Sequence, residues 1–133
     1  MQTHHRILLV DDHPYFRLML RRFLELNPDW EVCGEASDGF EAVLKTAELH
    51  PDTIIMDLNM PGLNGLDAAR RIHERSPAIR ILILTLHENS ILPKIAKESG
   101  ALGYVLKSDP LDVLARAIEM MSESEEFFSS QPG

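Results

Sequence analysis

Short, continuously apolar runs recur along this chain, and four of them are followed at once by polar side chains that can bind an ion or a phosphate. These runs are residues 7–10 before Asp11 and Asp12, 54–56 before Asp57, 81–84 before Thr85, and 104–106 before Lys107. Apolar runs of this length are typical of strands buried on both faces of a parallel sheet. If they are parallel strands, the polar residues that directly follow them lie at one edge of the sheet, where open α/β folds bind ligands.

Longer amphipathic segments separate these runs, and a further run with alternating polarity begins at Trp30. Their periodicity predicts five helices, which we place over residues 14–26, from 38 to 50, after 65, from near 91, and from 110 to 121. The alternation of strand and helix segments predicts an α/β fold in which five strands form a parallel sheet.

Helix boundaries and buried faces can also be predicted. Pro93 is tolerated only near a helix start, so the fourth helix should begin late, after a loop that can move. Asp109 is the expected N-cap of the fifth helix, with Pro110 at its first position. The spacing of apolar residues in the first two helices predicts a buried set that consists of Phe16, Met19, Leu20, Phe23, Leu24, Phe40, Val43, Leu44 and Ala47.

Size and charge narrow the function. The chain has 133 residues, the size of one domain, and a net charge of −8 that argues against direct binding to nucleic acid or to an anionic membrane surface. We recognise neither a signal peptide nor an apolar stretch of membrane-spanning length, and we therefore expect a cytoplasmic protein. The single cysteine, Cys33, is interpreted as an inert core residue.

The chemistry is suggested by Asp11, Asp12 and Asp57. Three carboxylates at one edge of a sheet repel one another unless a cation lies among them, and oxygen ligands of this kind suit Mg²⁺, with Mn²⁺ as an alternative. Since Mg²⁺ usually takes only one or two carboxylates, we interpret Asp57 as a nucleophile toward phosphorus. Thr85 and Lys107 would then stabilise charge on the transferred group, and the product would be an acyl phosphate.

Each residue has a simpler interpretation when it is taken alone. An Asp-Asp pair after a strand is often only a solvated helix cap, and an isolated lysine is usually a surface charge. The histidines that lack ligand spacing to one another, and that we interpret as surface or loop residues, are His4, His5 and His13. The coincidence of several polar groups at the ends of four runs is what favours a phosphate site.

These motifs resemble the receiver domain of bacterial two-component response regulators over residues 6–121. The matching segments, in order, are Val10-Asp11-Asp12-His13-Pro14, the stretch from Met56-Asp57-Leu58-Asn59 through Met60-Pro61-Gly62-Leu63-Asn64-Gly65, then Thr85, and Gly103-Tyr104-Val105-Leu106-Lys107. The first and last segments are most similar to the NarL-type subfamily. The resemblance implies a flavodoxin-like (βα)5 fold with strand order 2-1-3-4-5.

The resemblance also implies a metal site and a phosphoacceptor. Asp57 would accept a phosphoryl group from the phosphohistidine of a sensor histidine kinase. Asp12, Asp57 and the backbone carbonyl of Asn59 would hold Mg²⁺, and Asp11 would act largely through water. Such a domain is not an enzyme in its own right, beyond phosphorylating and dephosphorylating itself.

A conformational switch and an access path are implied as well. Thr85 would move toward the phosphoryl group, which Lys107 also binds, while Tyr104 swings inward; a buried Tyr104 without a switching role remains the alternative. The residues that would line access to the phosphorylation site are Asn59, Leu86 and His87. Leu86 is bulkier than the residue common in the family and could narrow that path, and Ser108 replaces a frequent proline.

For the whole protein, the resemblance implies a receiver domain over residues 1–121 and a linker over 122–133. We expect that linker to lead to a C-terminal helix-turn-helix output domain outside this sequence, through which alone DNA would be bound. The protein would then be a phosphorelay component that regulates transcription, and a homodimer is an open alternative.

Two rival functions stay open at this point. A haloacid-dehalogenase-like phosphatase also uses an aspartyl nucleophile with Mg²⁺, but it places an Asp-x-Asp pair after the first strand, whereas this chain has Asp11-Asp12 there. The second rival is an interaction module that is never phosphorylated.

Overall fold

A six-stranded parallel sheet with helices on both faces forms the protein in the computed structural model, which describes residues 5–86 and 88–128. The strands are β1 (His5–Val10), β2 (Trp30–Ala36), β3 (Thr53–Asp57), β4 (Arg80–Thr85), β5 (Gly103–Leu106) and β6 (Phe127–Phe128). The helices are α1 (Pro14–Leu24), α2 (Gly39–Leu49), α3 (Gly65–Arg75), α4 (Leu92–Glu98) and α5 (Leu111–Ser122). The predicted α/β fold is therefore confirmed.

The strand order is β2-β1-β3-β4-β5-β6, so the predicted order 2-1-3-4-5 is confirmed with one short strand added at its end. β6 pairs in parallel with β5, with Phe127 opposite Gly103 and Phe128 opposite Tyr104. Both residues of β6 fall within the predicted linker, where the sequence predicts no strand. Two residues are too few for alternation to be read from a sequence.

Two hydrophobic clusters, one on each face of the sheet, make the core. One joins β-strand residues to α2, α3 and α4, and the other joins them to α1 and α5. Successive residues of the central strands point to opposite clusters; in β1, Leu8 lies in the first cluster, and Ile7 and Leu9 lie in the second. Within the described residues, none of the helices has the length and apolar character needed to cross a membrane.

The predicted buried face of α2 is wrong. Its buried residues are Gly39, Ala42 and Thr46, whereas Phe40 and Leu44 are 54% and 67% exposed. At its first residue the helix lies close to the segment before α3: a Cβ built on Gly39 would lie 2.2 Å from the carbonyl oxygen of Leu63. Periodicity found a real apolar stripe, but close packing selected the stripe of smaller side chains.

In α1, Leu20 and Leu24 are buried as predicted, but Met19 is 41% exposed. The late start of α4 is confirmed, with Pro93 in its first turn. Asp109 is not the N-cap of α5: that position belongs to Pro110, and the Asp109 carboxylate accepts a hydrogen bond from the backbone N–H of Leu106 at 3.0 Å instead. This bond turns the chain directly after β5, next to Lys107.

Candidate functional site

The carboxyl ends of four strands bring the predicted polar groups together. Asp57 is the last residue of β3 and Thr85 is the last of β4, while Asp11 and Lys107 directly follow β1 and β5. The side chains of Asp11, Asp57 and Lys107 are each no more than 6% exposed. The sequence prediction that these groups converge at one edge of the sheet is met by the geometry.

Lys107 is held between two carboxylates. Its Nζ lies 2.7 Å from Oδ2 of Asp11, to which it donates a hydrogen bond, and 3.5 Å from Oδ1 of Asp57. The same ammonium group lies 4.3 Å from the centre of the Phe16 ring, within the range of a cation–π interaction. Its backbone N–H donates to the carbonyl of Thr85 at 2.7 Å. The ammonium therefore has a defined position inside the site.

Burial and like charges act on Asp57. Burial raises the pKa of its carboxyl group, and the neighbouring Asp11 and Asp12 raise it further, whereas Lys107 and a hydrogen bond from the backbone N–H of Asn59 lower it. The net pKa is above its ordinary value. One lysine therefore does not offset the combined effect of burial and of the neighbouring acids, and the site favours additional positive charge.

His13, which the sequence analysis interpreted as a surface or loop residue, belongs to this cluster. Its side chain is 66% exposed, yet its Nδ1 lies 3.0 Å from Oδ1 of Asp11 and 3.0 Å from Oδ1 of Asp12. Its backbone N–H also donates to Oδ1 of Asp11 at 2.8 Å. Separation between histidines was the wrong criterion here, and adjacency to the Asp pair was the signal that could have found it.

The residues present fit a hard divalent cation. Ligand atoms from Asp11, Asp12, His13 and Asp57 all lie within 4.8 Å of one another. Within the described part of the chain, the Oδ1 atom of Asp12 is shielded from solvent and accepts no well-aligned hydrogen bond, although His13 lies close by. A buried carboxylate oxygen without a donor needs a counter-charge, and a cation supplies one. Carboxylate oxygens favour Mg²⁺ or Mn²⁺ over softer metals.

The turn after Asp57 shapes the edge of the site. The backbone N–H of Gly65 donates to the carbonyl of Leu58 at 3.0 Å, and Asn64 caps α3 by accepting from the N–H of Asp67 at 3.0 Å. A Cβ on Gly65 would lie 2.1 Å from the carbonyl oxygen of Asp57. Glycine is required at this position because the start of α3 passes so close to the acid's own backbone.

The predicted access residues differ in placement. Asn59 is exposed directly beyond β3, and Leu86 is 70% exposed directly beyond β4. Both thus stand at the carboxyl edge of the sheet, next in sequence to the site. His87 lies outside the described residues.

The two predicted switch residues are both fully buried. Thr85 and Tyr104 are each 0% exposed. Burial raises the pKa of the Tyr104 phenol, and the nearby charge of Glu88 raises it further. Tyr104 lies opposite Ile83 in β4 and packs in the cluster that also contains Ala96 of α4. The Tyr104 ring is therefore part of the core on the face of the sheet that α4 covers.

Comparisons with known proteins show which family and fold this chain resembles. The response regulator receiver domain model matches residues 7–119. The chain is 43% identical over 122 residues to the transcriptional regulatory protein LiaR of Bacillus subtilis, and this match covers 90% of the chain and 57% of LiaR. It is 36% identical over 121 residues to the nitrate/nitrite response regulator protein NarL of Escherichia coli, covering 90% of the chain and 55% of NarL.

Solved structures agree as well. A LuxR-family two-component response regulator from Aurantimonas sp. superposes with a TM-score of 0.92 and 41% identity, over 96% of this chain and 91% of that one. The signal receiver domain of the NarL response regulator of Mycobacterium tuberculosis superposes with a TM-score of 0.87 and 28% identity, over 92% and 99% of the two chains. The chain spans little more than half the length of the two curated relatives.

Proposed function

The chain belongs to the response regulator receiver domain family, of the LuxR/NarL type, and from that premise we propose that Asp57 takes a phosphoryl group from a sensor histidine kinase. The observation that supports this most is the position of Lys107, whose ammonium contacts both Asp11 and Asp57 inside a buried cluster of acids. An ordinary buried ion pair needs one acid for one base. The surplus of carboxylates is what a site for a cation and a phosphoryl group requires.

Asp57 is the proposed nucleophile because its carboxylate ends the central strand β3 and faces Lys107. One of its oxygens forms a bond to phosphorus while the bond from phosphorus to the donor's imidazole nitrogen breaks, and that nitrogen keeps the electron pair. Asp57 becomes an aspartyl phosphate. Lys107 stabilises the charge that gathers on the phosphoryl oxygens, and we assign the Thr85 hydroxyl the same role.

Asp11, Asp12, Asp57 and the backbone carbonyl of Asn59 are the groups that would hold Mg²⁺, with Mn²⁺ as a substitute. The cation supplies charge neutralisation of the phosphoryl oxygens at this site. The Oδ1 of Asp12 supports this assignment, because it is shielded from solvent and accepts no well-aligned hydrogen bond from the described residues. Asp11 already accepts hydrogen bonds from Lys107 and from the His13 backbone, so we place it at a distance from the cation, acting through water.

Phosphorylation would act as a switch. The added charge lies beside Thr85, which ends β4, and the chain then passes through an exposed loop to the short helix α4. Tyr104 packs on the same side of the sheet as Ala96 of α4. We propose that a shift of Thr85 toward the phosphoryl group rearranges this loop and α4 around Tyr104.

We propose that the full-length protein regulates transcription and binds DNA through a separate C-terminal domain. LiaR is by name a transcriptional regulatory protein, and the described residues of this chain carry the receiver alone. The net charge of −8 leaves this domain poorly suited to hold DNA itself. Apart from phosphorylation and dephosphorylation of Asp57, we propose no catalytic activity for the domain.

The experiment that tests the proposal is phosphoryl transfer to defined variants. Wild type, Asp57→Asn and the control Asp112→Asn, which changes an exposed acid of α5, are incubated with acetyl phosphate and Mg²⁺ and weighed by intact mass spectrometry. We expect one phosphoryl group, which acid, base or hydroxylamine removes, on wild type and the control, and none on Asp57→Asn. Label retained on Asp57→Asn, with its circular dichroism unchanged, would show that another residue is the acceptor. Sustained hydrolysis of a phosphomonoester would instead favour a phosphatase.

A further inference from the structure

The backbone of Asp11, the residue before Asp12, is anchored by groups that lie outside the acidic cluster. The backbone N–H of Asp11 donates to the carbonyl of Ala36 at the end of β2, at 3.0 Å. Its carbonyl oxygen accepts a hydrogen bond from Nη1 of Arg17, one turn into α1. The backbone just before Asp12 is thus held at both of its polar groups.

Arg17 is itself held by a half-buried partner, Glu35. Its side chain is 18% exposed, and its Nε donates to Oε1 of Glu35 at 2.7 Å. The other oxygen of Glu35 accepts from Arg21 Nε at 2.9 Å. Burial raises the pKa of Glu35, but hydrogen bonds from both arginines and their charges lower it, so the net pKa is below its ordinary value and the carboxylate stays ionised. The guanidinium of Arg17 therefore has one preferred position, between Glu35 and the Asp11 carbonyl.

The three acids differ in what orients them. Lys107 contacts the carboxylates of Asp11 and Asp57, and so fixes both. Nδ1 of His13 lies 3.0 Å from Oδ1 of Asp12, but this nitrogen is hydrogen-bonded to Asp11 and the His13 ring is mostly exposed, and within the described residues Oδ1 accepts no well-aligned hydrogen bond. The direction of the Asp12 carboxylate is therefore set by its backbone, and that backbone is what Arg17 holds.

We infer that Arg17, locked by Glu35, is a positioning residue that aims the Asp12 carboxylate at the divalent cation. Arg17 acts through the Asp11 carbonyl and touches neither the cation nor the phosphoryl group. The inference rests on the proposed function, since it concerns the same cation site. Partners of this kind, which orient the groups that bind a metal, typically change metal affinity by about 10-fold to 100-fold when they are removed.

The direction in which Mg²⁺ affinity changes when Arg17 is removed distinguishes a positioning role from a purely electrostatic one. Arg17 carries a positive charge beside a cation site, so its removal should strengthen Mg²⁺ binding if only charge mattered. A positioning role predicts the opposite. Arg17→Lys sharpens the contrast, because it keeps the charge but loses the guanidinium fork that reaches Glu35 and the Asp11 carbonyl together.

The test is Mg²⁺ titration by calorimetry of wild type, Arg17→Met, Arg17→Lys and Glu35→Gln. Two controls accompany them: Arg22→Met removes an exposed positive charge from the same helix, and Arg21→Met removes the other partner of Glu35 without touching Asp11. We expect Mg²⁺ affinity to fall about tenfold in both Arg17 variants. Glu35→Gln should weaken binding less, and the controls should stay within about twofold of wild type.

Two further measurements are made on the same variants. One is urea unfolding in the absence of metal, and the other is phosphoryl uptake from acetyl phosphate. At saturating Mg²⁺ the Arg17 variants should be labelled at the wild-type rate, because Asp57 and Lys107 keep their contacts. If Arg17 has a purely structural role, its removal lowers the stability and leaves the Mg²⁺ affinity of the folded fraction unchanged. Either that result or tighter Mg²⁺ binding by Arg17→Met overturns the inference about Arg17 and leaves the proposed function of Asp57 standing. If wild type binds no Mg²⁺, the proposed function fails together with it. Should Arg17→Met not fold, Glu35→Gln decides by the same criterion.

Discussion

Lys107 Nζ lies 2.7 Å from Oδ2 of Asp11, and this contact joins the end of β5 to the end of β1 across the two strands that separate them. Both side chains are almost fully buried. The ion pair therefore closes the carboxyl edge of the sheet, and it does so at residues 96 positions apart in sequence. Lys107 therefore has a structural role in the fold as well as its proposed role in binding the phosphoryl group.

We expect Lys107→Met to destabilise the metal-free protein by about 3 kcal/mol at pH 7, because it leaves buried carboxylates without their counter-charge. Urea unfolding monitored by circular dichroism measures the change. The matched control is Lys97→Met. Lys97 is 58% exposed and pairs with Glu126 at 3.0 Å, so its loss should cost no more than about 1 kcal/mol. Equal losses in the two variants would mean that the Lys107 pair contributes no more than a surface contact.

The pKa of Asp57 predicts an unusual pH dependence. Because this pKa is raised in the folded state, the folded protein takes up the Asp57 proton at a higher pH than the unfolded chain does. Stability from this residue is therefore gained as the pH falls through the raised pKa, down to the ordinary value of about 3.9, and lost as the pH rises.

Asp57→Asn removes this contribution. Without divalent cations, we expect the variant to be more stable than wild type at pH 7 and the advantage to shrink as the pH is lowered. The lowered pKa values of Glu35 and Glu41 act in the opposite direction in both proteins, so the difference between the two unfolding curves isolates Asp57. A difference that stays constant from pH 8 down to the ordinary carboxyl pKa of about 3.9 would contradict the raised pKa. Mg²⁺ should stabilise wild type more than the variant, since only wild type keeps all its acids.

Gly65→Ala should distort the acceptor directly. The new methyl group would lie 2.1 Å from the carbonyl oxygen of Asp57, so either α3 or the end of β3 has to move. We expect a loss of about 2 kcal/mol or more and slower phosphoryl uptake, even though alanine is the better helix former.

Gly34→Ala is the control for that variant. Its Cβ would meet the end of the Leu49 side chain at 2.6 Å, and a flexible side chain can turn away. The cost should stay below about 1 kcal/mol, and phosphoryl uptake should not change. If Gly65→Ala behaves in the same way, the close approach to Asp57 has no consequence for function.

The residues at the site could be predicted from the sequence because continuous hydrophobic runs predict buried strands, and because the carboxyl ends of parallel strands lie at one edge of a sheet. Asp57, Thr85 and Lys107 each follow such a run directly, so no knowledge of packing was needed to place them at one edge. His13 could not be placed in this way. Its contact with Asp11 and Asp12 depends on the path of the chain between β1 and α1, which hydrophobic periodicity does not describe.

The outward stripe of α2 shows where periodicity fails. Phe40 and Leu44 have helical spacing, yet the face with Gly39, Ala42 and Thr46 packs inward, and at Gly39 the backbone of Leu63 leaves no room for a side chain. Arg17 and Glu35 were missed for a related reason. They belong to different elements, and only the packing of α1 beside β2 brings them within 2.7 Å.

Leu86→Ala should separate small phosphodonors from the kinase. Leu86 directly follows Thr85 and is 70% exposed, so its truncation opens the edge of the site at little cost to stability. Acetyl phosphate needs only room to reach Asp57, and we expect its labelling rate to rise several-fold. A kinase domain that docks over this edge loses an apolar contact as it gains access, so its rate should rise less.

Time courses with both donors, with Leu44→Ala as a control that truncates an equally exposed leucine on α2, measure the two effects. Equal acceleration with both donors would mean that the kinase makes no use of Leu86, and an unchanged rate with acetyl phosphate would reject the access argument.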